Sequence, residues 1–209
     1  MDQPALYLAS ASPRRRDLLT LLGVSYRSVA IACDETARPT ERPLAYVRRL
    51  ALTKAQAGAA AVTVADVPVL GADTAVVLGR RTLGKPRGRE DGLAMLAALS
   101  GREHRVLTAV AVVQGDRAEI VVSDSRVRFA ETTAAERAAY WRTGEPVDKA
   151  GAYAVQGLGA VFITGIRGSH SGIMGLPLRE TAALLRTFSV PVFPWTTAAD
   201  VRGRMPTLP

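Results

Sequence analysis

Hydroxyl and guanidinium groups cluster where a first helix is expected to begin, in the run Ser10-Ala11-Ser12-Pro13-Arg14-Arg15-Arg16. The free N–H groups of a helix N-terminus bind anions, whereas arginines there oppose the helix dipole unless an anion is present. The run therefore favours a phosphate site formed by Ser10, Arg14 and Arg15. An ordinary helix start with Ser12 as its N-cap is the alternative.

A carboxylate interrupts the apolar run Val69–Val77 at Asp73. A buried carboxylate is costly unless it is paired or bound to a metal, and Gly71 just before it allows close approach of another backbone. Asp73 is therefore a candidate metal ligand or general base. A structural aspartate bonded to backbone amides is the alternative.

Lysine occurs only at Lys54, Lys85 and Lys149, and every other member of the 27 basic residues is arginine. A compact ammonium on a flexible stem suits sites that a planar guanidinium does not fit. The three lysines are thus candidates for a role that arginine does not serve, and Lys85 is a candidate phosphate ligand, with chance as the alternative. Gly79–Lys85 has the glycine and lysine spacing of a Walker A loop, but Pro86 lacks the hydroxyl that such a loop gives to magnesium, so a P-loop is excluded.

A glycine-rich segment, Gly144–Gly157, contains Asp148, Lys149 and Gln156. Glycines and small residues let a backbone lie against a ligand, and a side-chain amide can pair with the edge of a base through one donor and one acceptor. Gln156 is therefore a candidate for base recognition. A hydrogen-bonded core amide is the alternative.

The elements that must position these residues alternate between helices and strands. Helices are predicted over residues 13–22, 44–61, 91–99, 133–141 and 178–188, the fourth with a capping box from Thr133 and Glu136. Strands are predicted over residues 5–9, 26–31, 67–78, 104–113, 120–129, 153–156 and 160–166. Because some neighbouring strands have no helix between them, the predicted class is α/β with a mixed central sheet.

Length and composition limit the other possibilities. The 209 residues predict a single domain over residues 1–189, followed by a proline-rich tail over 190–209 that we expect to be flexible. No apolar run reaches the length of a membrane span and no cleavable signal is recognised, so we expect no membrane contact and a cytoplasmic location. The net charge of +8 is scattered, and only 5% of the residues are aromatic, which makes a nucleic-acid partner a poor fit.

Taken together, these motifs resemble the Maf-like nucleotide pyrophosphatases over about residues 5–188. The matching pieces occur in the family's order: Leu8–Arg15, Asp34-Glu35, Lys54, Gly71–Thr74, Gly84–Pro86, Leu99–Gly101, Glu145–Tyr153, Gln156-Gly157 and Gly175–Leu178. The resemblance implies an α/β fold of the Maf/ITPase type, in which an elongated mixed sheet flanked by helices forms two lobes around a cleft. It also implies that a homodimer is common.

The resemblance further implies hydrolysis of a nucleoside triphosphate to the monophosphate and pyrophosphate, a hydrolase reaction on a phosphoric anhydride that uses Mg²⁺ or Mn²⁺. In that scheme Asp73 accepts the proton and, with Glu35, holds the metal. The expected substrate-binding residues are Ser10, Arg14, Arg15, Lys54, Thr74, Lys85 and Gln156.

Arg14, Thr74 and Gln156 match positions associated with the subgroup that acts on dTTP and UTP, and modified pyrimidine triphosphates remain an open alternative. The family's association with septum formation leaves a second alternative of another class, a nucleic-acid-binding regulator of cell division. Steep salt dependence of duplex binding would favour that regulator.

Overall fold

A mixed sheet forms the centre of the molecule in a computed structural model that describes residues 3–62 and 66–193. Within those residues the strands are β1 Leu6–Leu8, β2 Tyr26–Ser28, β3 Val69–Leu78, β4 Arg81–Leu83, β5 Glu103–Gln114, β6 Arg117–Phe129 and β7 Ile163–Arg167. Their order is β2-β1-β3-β5-β6-β7, and β4 also pairs with β3. The strand β1 is parallel to β2 and β3, while the other pairs are antiparallel, so the predicted mixed sheet is confirmed.

Six α-helices flank this sheet in the described ranges: α1 Pro13–Leu21, α2 Pro43–Ala61, α3 Arg89–Leu99, α4 Ala134–Arg142, α5 His170–Met174 and α6 Leu178–Thr187. Five of them lie where the apolar periodicity predicts them, and the capping box of Thr133 and Glu136 is confirmed. Ser12 occupies the N-cap position of α1, but its hydroxyl makes no capping hydrogen bond. None of these helices is long and apolar enough to cross a bilayer.

The predicted strand over Tyr153–Gln156 is wrong. The chain there follows two short 3₁₀ turns, Glu145–Asp148 and Ala150–Ala152, and precedes a third at Leu158–Phe162. Gly151 lies in the left-handed region with φ of 71°, so the chain turns there and does not extend as a strand. The strand predicted over 160–166 therefore begins only at Ile163, where β7 starts.

Close packing of α2 on β3 sets the geometry of one face of the sheet. A Cβ atom on Gly71 would lie 2.4 Å from both the carbonyl oxygen of Ala51 and the amide nitrogen of Ala55. Small residues on both sides therefore bring the two backbones almost into contact. Side chains of α2 next to this point must lie directly over β3.

Two apolar clusters cover the other face. One packs α1 and α6 against β1 and the first half of β3, with Leu8, Leu19 and Leu185 fully buried. The second packs α3 and α4 against the C-terminal parts of β3 and β6 and the N-terminal part of β5. Met174 of α5 contacts both clusters, so α5 lies at the junction of two lobes.

The second cluster contains a buried histidine. His104 is 2% exposed, its Nε2 lies 2.8 Å from the Tyr153 hydroxyl, and its ring meets the edge of Phe129. Burial lowers the pKa of His104 to about 4.

At the other end of the chain, Val190 and Val192 are buried in the first cluster, so the core extends beyond the expected boundary at 189. The rest of the expected tail, residues 194–209, lies outside the described residues.

Candidate active site

A cleft opens at an interruption along one edge of β3. On that edge β1 pairs with Val69 and Leu70, and β4 pairs from Val76 onward. Among the described strands, none pairs with residues 71–75 on this side, while β5 pairs with residues 69–77 on the opposite edge. A cavity of about 550 Å³ occupies the interruption. It is lined by all nine residues that the sequence predicts for the site: Ser10, Arg14, Arg15, Glu35, Lys54, Asp73, Thr74, Lys85 and Gln156.

Two carboxylates meet one ammonium on the α2 side of the cleft. The Nζ atom of Lys54 lies 2.7 Å from Oδ1 of Asp73 and 2.7 Å from Oε1 of Glu35. Lys54 and Asp73 are each only 7% exposed. The close approach of α2 at Gly71 explains why a side chain of α2 reaches a side chain of β3 here.

The surroundings shift the pKa values of the two carboxylates in opposite directions from their ordinary values. Burial raises the pKa of Asp73, although the charges of Lys54 and Arg15 oppose the shift. Burial also disfavours the ionised form of Glu35, but the hydrogen bond and charge of Lys54, aided by Lys85 and Arg15, outweigh it and lower the pKa of Glu35. Burial thus favours the protonated form of Asp73, which suits a proton acceptor, whereas Lys54 favours the ionised form of Glu35.

Glu35 lies on a loop that α2 fixes in place. The Tyr46 hydroxyl donates to the backbone carbonyl of Glu35 over 2.9 Å. Arg49 donates to both carboxylate oxygens of Glu41, over 2.7 and 2.6 Å, and to the carbonyl of Thr36. Sequence reasoning missed Tyr46, although it lies on the same helical face as Lys54, two i+4 steps earlier.

A different network occupies the other side of β3. Arg15 donates to the carbonyl of Gly175 over 3.0 Å, to Ser10 Oγ over 3.1 Å and to Thr74 Oγ1 over 3.4 Å. The Thr74 and Thr108 hydroxyls lie 2.9 Å apart, and Thr108 donates to the carbonyl of Gly172 over 2.7 Å. Because Thr108 uses its proton on that carbonyl, Thr74 must donate to Thr108 and accept from Arg15.

Further cations surround the mouth of the cleft. Arg14 lies 3.6 Å from Asp148, and Asp148 also pairs with Lys149. Lys85 is exposed on the cleft wall. Asp148 and Lys149 were not among the expected substrate ligands, although their glycine-rich segment was recognised.

Gln156 lies exposed where it lines the cleft, so it is not the buried core amide of the alternative interpretation.

The donor set fits a divalent cation that arrives with a polyphosphate. The described residues contain no group of three or more His, Cys, Asp or Glu side chains placed to hold a metal ion. The carboxylates of Glu35 and Asp73 are hard oxygen ligands. They lie close together, because each is 2.7 Å from the Nζ atom of Lys54. Mg²⁺ is commonly bound by one or two carboxylates, with phosphate oxygens and water completing its octahedron.

Comparison with known proteins identifies a matching family, similar sequences and a similar solved structure. The sequence model of a family described as Maf-like protein matches residues 5–188. A protein of Saccharophagus degradans named dTTP/UTP pyrophosphatase is 51% identical over 190 residues, covering 90% of each chain. A protein of Alkalilimnicola ehrlichii with the same name is 52% identical over 192 residues, covering 90% of this chain and 95% of the relative. Among solved structures, the Staphylococcus aureus Ham1 protein matches 60% of this chain and 72% of its own, with a TM-score of 0.44 and 13% identity.

Proposed function

The chain belongs to the Maf-like protein family, and we propose that it hydrolyses dTTP and UTP to the nucleoside monophosphate and pyrophosphate. The observation that carries the proposal is the pair of carboxylates on Lys54 at one wall of a basic cleft, where the buried Lys54 and Asp73 meet the exposed Glu35. Hydrolysis of a triphosphate needs mainly positioning and neutralisation of charge, together with a base for the attacking water. The cleft contains groups for each of these tasks.

The triphosphate binds among the cations of the cleft. Arg14, Lys85 and Lys149 reach it from three separate segments of the chain. The N-terminus of α1 adds backbone N–H groups that attract an anion. Asp148, which is now paired with Arg14 and Lys149, gives up these partners to the more highly charged phosphates.

Asp73 accepts a proton from the attacking water. Its raised pKa makes it a stronger base than an ordinary carboxylate, and Lys54 keeps it oriented by a 2.7 Å hydrogen bond. The water oxygen bonds to the α phosphorus while the bond from that phosphorus to the bridging oxygen of the β phosphate breaks. Arg14 and the lysines of the cleft stabilise the charge that develops on the departing pyrophosphate.

Glu35 and Asp73 would hold Mg²⁺ or Mn²⁺ on the Lys54 side of the cleft. When bound, such a cation neutralises phosphate charge and makes a coordinated water more acidic. Lys54 lies between the two carboxylates and limits their repulsion while the site is formed.

Selection of the base rests on the glutamine at the cleft. Thymine and uracil share an O4 acceptor and an N3–H donor, which the amide of Gln156 matches with one donor and one acceptor. Cytosine has the opposite pattern at these atoms. A donor or acceptor left unpaired in a closed site costs about 1–3 kcal/mol, which corresponds to roughly 5- to 150-fold in specificity.

A pyrophosphate-release screen tests the proposal. The wild-type chain is assayed with dTTP, UTP, CTP, GTP, 7-methyl-GTP and modified pyrimidine triphosphates, each with Mg²⁺, with Mn²⁺ and with a chelator. We expect the highest kcat/KM for dTTP and UTP and loss of activity with the chelator. A preference for 7-methyl-GTP, or release of orthophosphate in place of pyrophosphate, would contradict the proposal.

A further inference from the structure

One carboxylate closes the segment that carries Lys149 and Gln156. The Oε2 atom of Glu145 accepts the backbone N–H of Leu158, and Oε1 accepts that of Gly159, each over 2.9 Å. These contacts join residues 13 and 14 positions apart. Residues 145–159, which we call the cleft loop, are therefore held at both ends by a single side chain.

Helix α4 fixes the cleft loop at a third point. The Tyr140 hydroxyl donates to Oε1 of Glu145 over 2.6 Å and accepts the backbone N–H of Ala154 over 3.1 Å. Tyr140 is 5% exposed and packs edge-on against Phe162, so its ring has little freedom. The fixed amide of Ala154 lies two residues before Gln156.

Contacts at two glycines indicate a tightly built clamp. A Cβ atom on Gly157 would lie 2.1 Å from Oε2 of Glu145, and one on Gly159 would lie 2.6 Å from the Tyr140 hydroxyl. The backbone immediately after Gln156 therefore lies directly against the carboxylate. Such contact leaves few conformations to the peptide that carries the glutamine side chain.

We infer that Glu145 and Tyr140 are positioning residues for base selection, which they control by fixing the backbone on either side of Gln156. This inference rests on the proposed function, in which Gln156 faces the base. Neither side chain is among the described residues that line the cleft, so both act through the loop and not on the substrate.

The chemistry of the clamp requires a carboxylate. Glu145 accepts three hydrogen bonds and donates none, whereas a glutamine would replace one acceptor oxygen by an NH₂ group. That NH₂ group would face a backbone N–H or the tyrosine hydroxyl. The substitution Glu145→Gln thus keeps the size of the side chain but opens one end of the clamp.

The main experiment compares Glu145→Gln with the wild type in the ratio of kcat/KM for UTP to that for CTP. We expect the ratio to fall about tenfold, since roughly one well-formed hydrogen bond to the base is lost, while kcat for UTP stays within about threefold. Tyr140→Phe, which removes a single hydroxyl, should give a smaller fall in the same direction and serves if the first variant is unfolded. Glu136→Gln is the matched control, because that carboxylate also accepts a backbone N–H but at the far end of α4; it should leave the ratio unchanged.

A double-mutant cycle separates positioning from a general structural role. In the Gln156→Ala background, Glu145→Gln should cause no further loss of discrimination, because the residue through which it acts is absent. Hydrogen exchange provides a readout independent of turnover: the amides of Ala154, Leu158 and Gly159 should exchange faster in Glu145→Gln.

Two failures are distinguishable. A wild type that hydrolyses UTP and CTP equally well contradicts the proposed role of Gln156. A wild type that discriminates, with a Glu145→Gln variant that discriminates equally despite faster exchange, contradicts the positioning role alone. Additive losses in the cycle would also overturn it.

Discussion

Asp73 and Thr74 are neighbours in β3, but they serve opposite faces of the sheet. Asp73 faces α2 and meets the buried ammonium of Lys54. Thr74 faces α5 and meets the Thr108 hydroxyl and the guanidinium of Arg15. Strand geometry sends successive side chains to opposite faces. The cleft reaches both faces because none of the described strands pairs with this edge of β3 there.

The difference indicates a division of labour between the faces. Ionised groups on the α2 side can move a proton and hold charge, so changes there should act mainly on kcat. On the α5 side the neutral hydroxyls of Thr74 and Thr108 form a hydrogen-bonded relay that ends at the carbonyl of Gly172. This relay moves no charge, and we expect it to orient Arg15, which donates to Thr74. Changes in the relay should therefore act mainly on KM.

The largest expected effect comes from Asp73→Asn. The amide keeps the shape of the side chain and an oxygen for Lys54, but it cannot accept a proton from water. We expect kcat to fall by a factor of about 100 or more, with little change in the melting temperature. Steady-state kinetics with dTTP and thermal unfolding test this. Turnover near the wild-type value would contradict the expectation that changes on the α2 side act mainly on kcat.

Gly71→Ala tests the close approach that brings the α2 side together. Its methyl group would lie 2.4 Å from the backbone of α2, so the helix must move and carry Lys54 away from Asp73. We expect activity to fall about 10- to 100-fold and stability to fall by about 1–3 kcal/mol. Gly165→Ala on β7 is the control, since its Cβ would meet open space. A folded Gly71→Ala protein with full activity would contradict the proposed cause.

Lys54→Arg keeps the charge but changes its shape. Two carboxylates lie 2.7 Å from one nitrogen, and a guanidinium is too large for that position. We expect kcat to fall about tenfold while KM changes less. Arg117→Lys, on the exposed end of β6, is the reverse substitution and should leave both constants unchanged. Equal activity of Lys54→Arg and wild type would show that only charge is needed.

Thr108→Val should have the smallest effect, and it should change KM and leave kcat unchanged. The change keeps the shape of a fully buried side chain but breaks the relay between Thr74 and the carbonyl of Gly172. We expect KM for dTTP to rise about threefold, with kcat unchanged and stability lower by about 1 kcal/mol. Thr181→Val is the matched control, because its hydroxyl is buried without a hydrogen-bond partner among the described residues. A fall in kcat for Thr108→Val would contradict the division of labour.

Local patterns predicted the parts of the fold that depend on neighbouring residues. The alternation of helices and strands and the capping box of α4 follow from residues within a few positions of one another. Asp73 was recognisable because a lone carboxylate in an apolar strand requires a partner. The identity of that partner was not recognisable, since the contact with Lys54 depends on how closely α2 packs at Gly71.

The parts that were missed depend on contacts between distant residues. Tyr153–Gln156 has the composition of a strand, but the turns before it and the bonds of Glu145 to Leu158 and Gly159 fix the chain in a conformation that pairs with no described strand. Helix α5 has five residues, which is too few for an apolar period to be visible. The bond from Arg15 to Gly175 joins residues 160 positions apart and leaves no local pattern.

The buried histidine beside the cleft couples unfolding to proton uptake. In the folded state burial lowers the pKa of His104 from 6.5 to about 4, with only Glu103 acting in the opposite direction. The unfolded chain therefore binds this proton first as the pH falls, and stability declines between pH 6.5 and about 4, by about 3 kcal/mol in total. Urea unfolding of wild type and His104→Gln at pH 7.5 and 4.5 should show a smaller pH-dependent loss in the variant. Because His104 contacts Tyr153, which lines the cleft, acid weakens the molecule next to the site where the substrate is expected to bind.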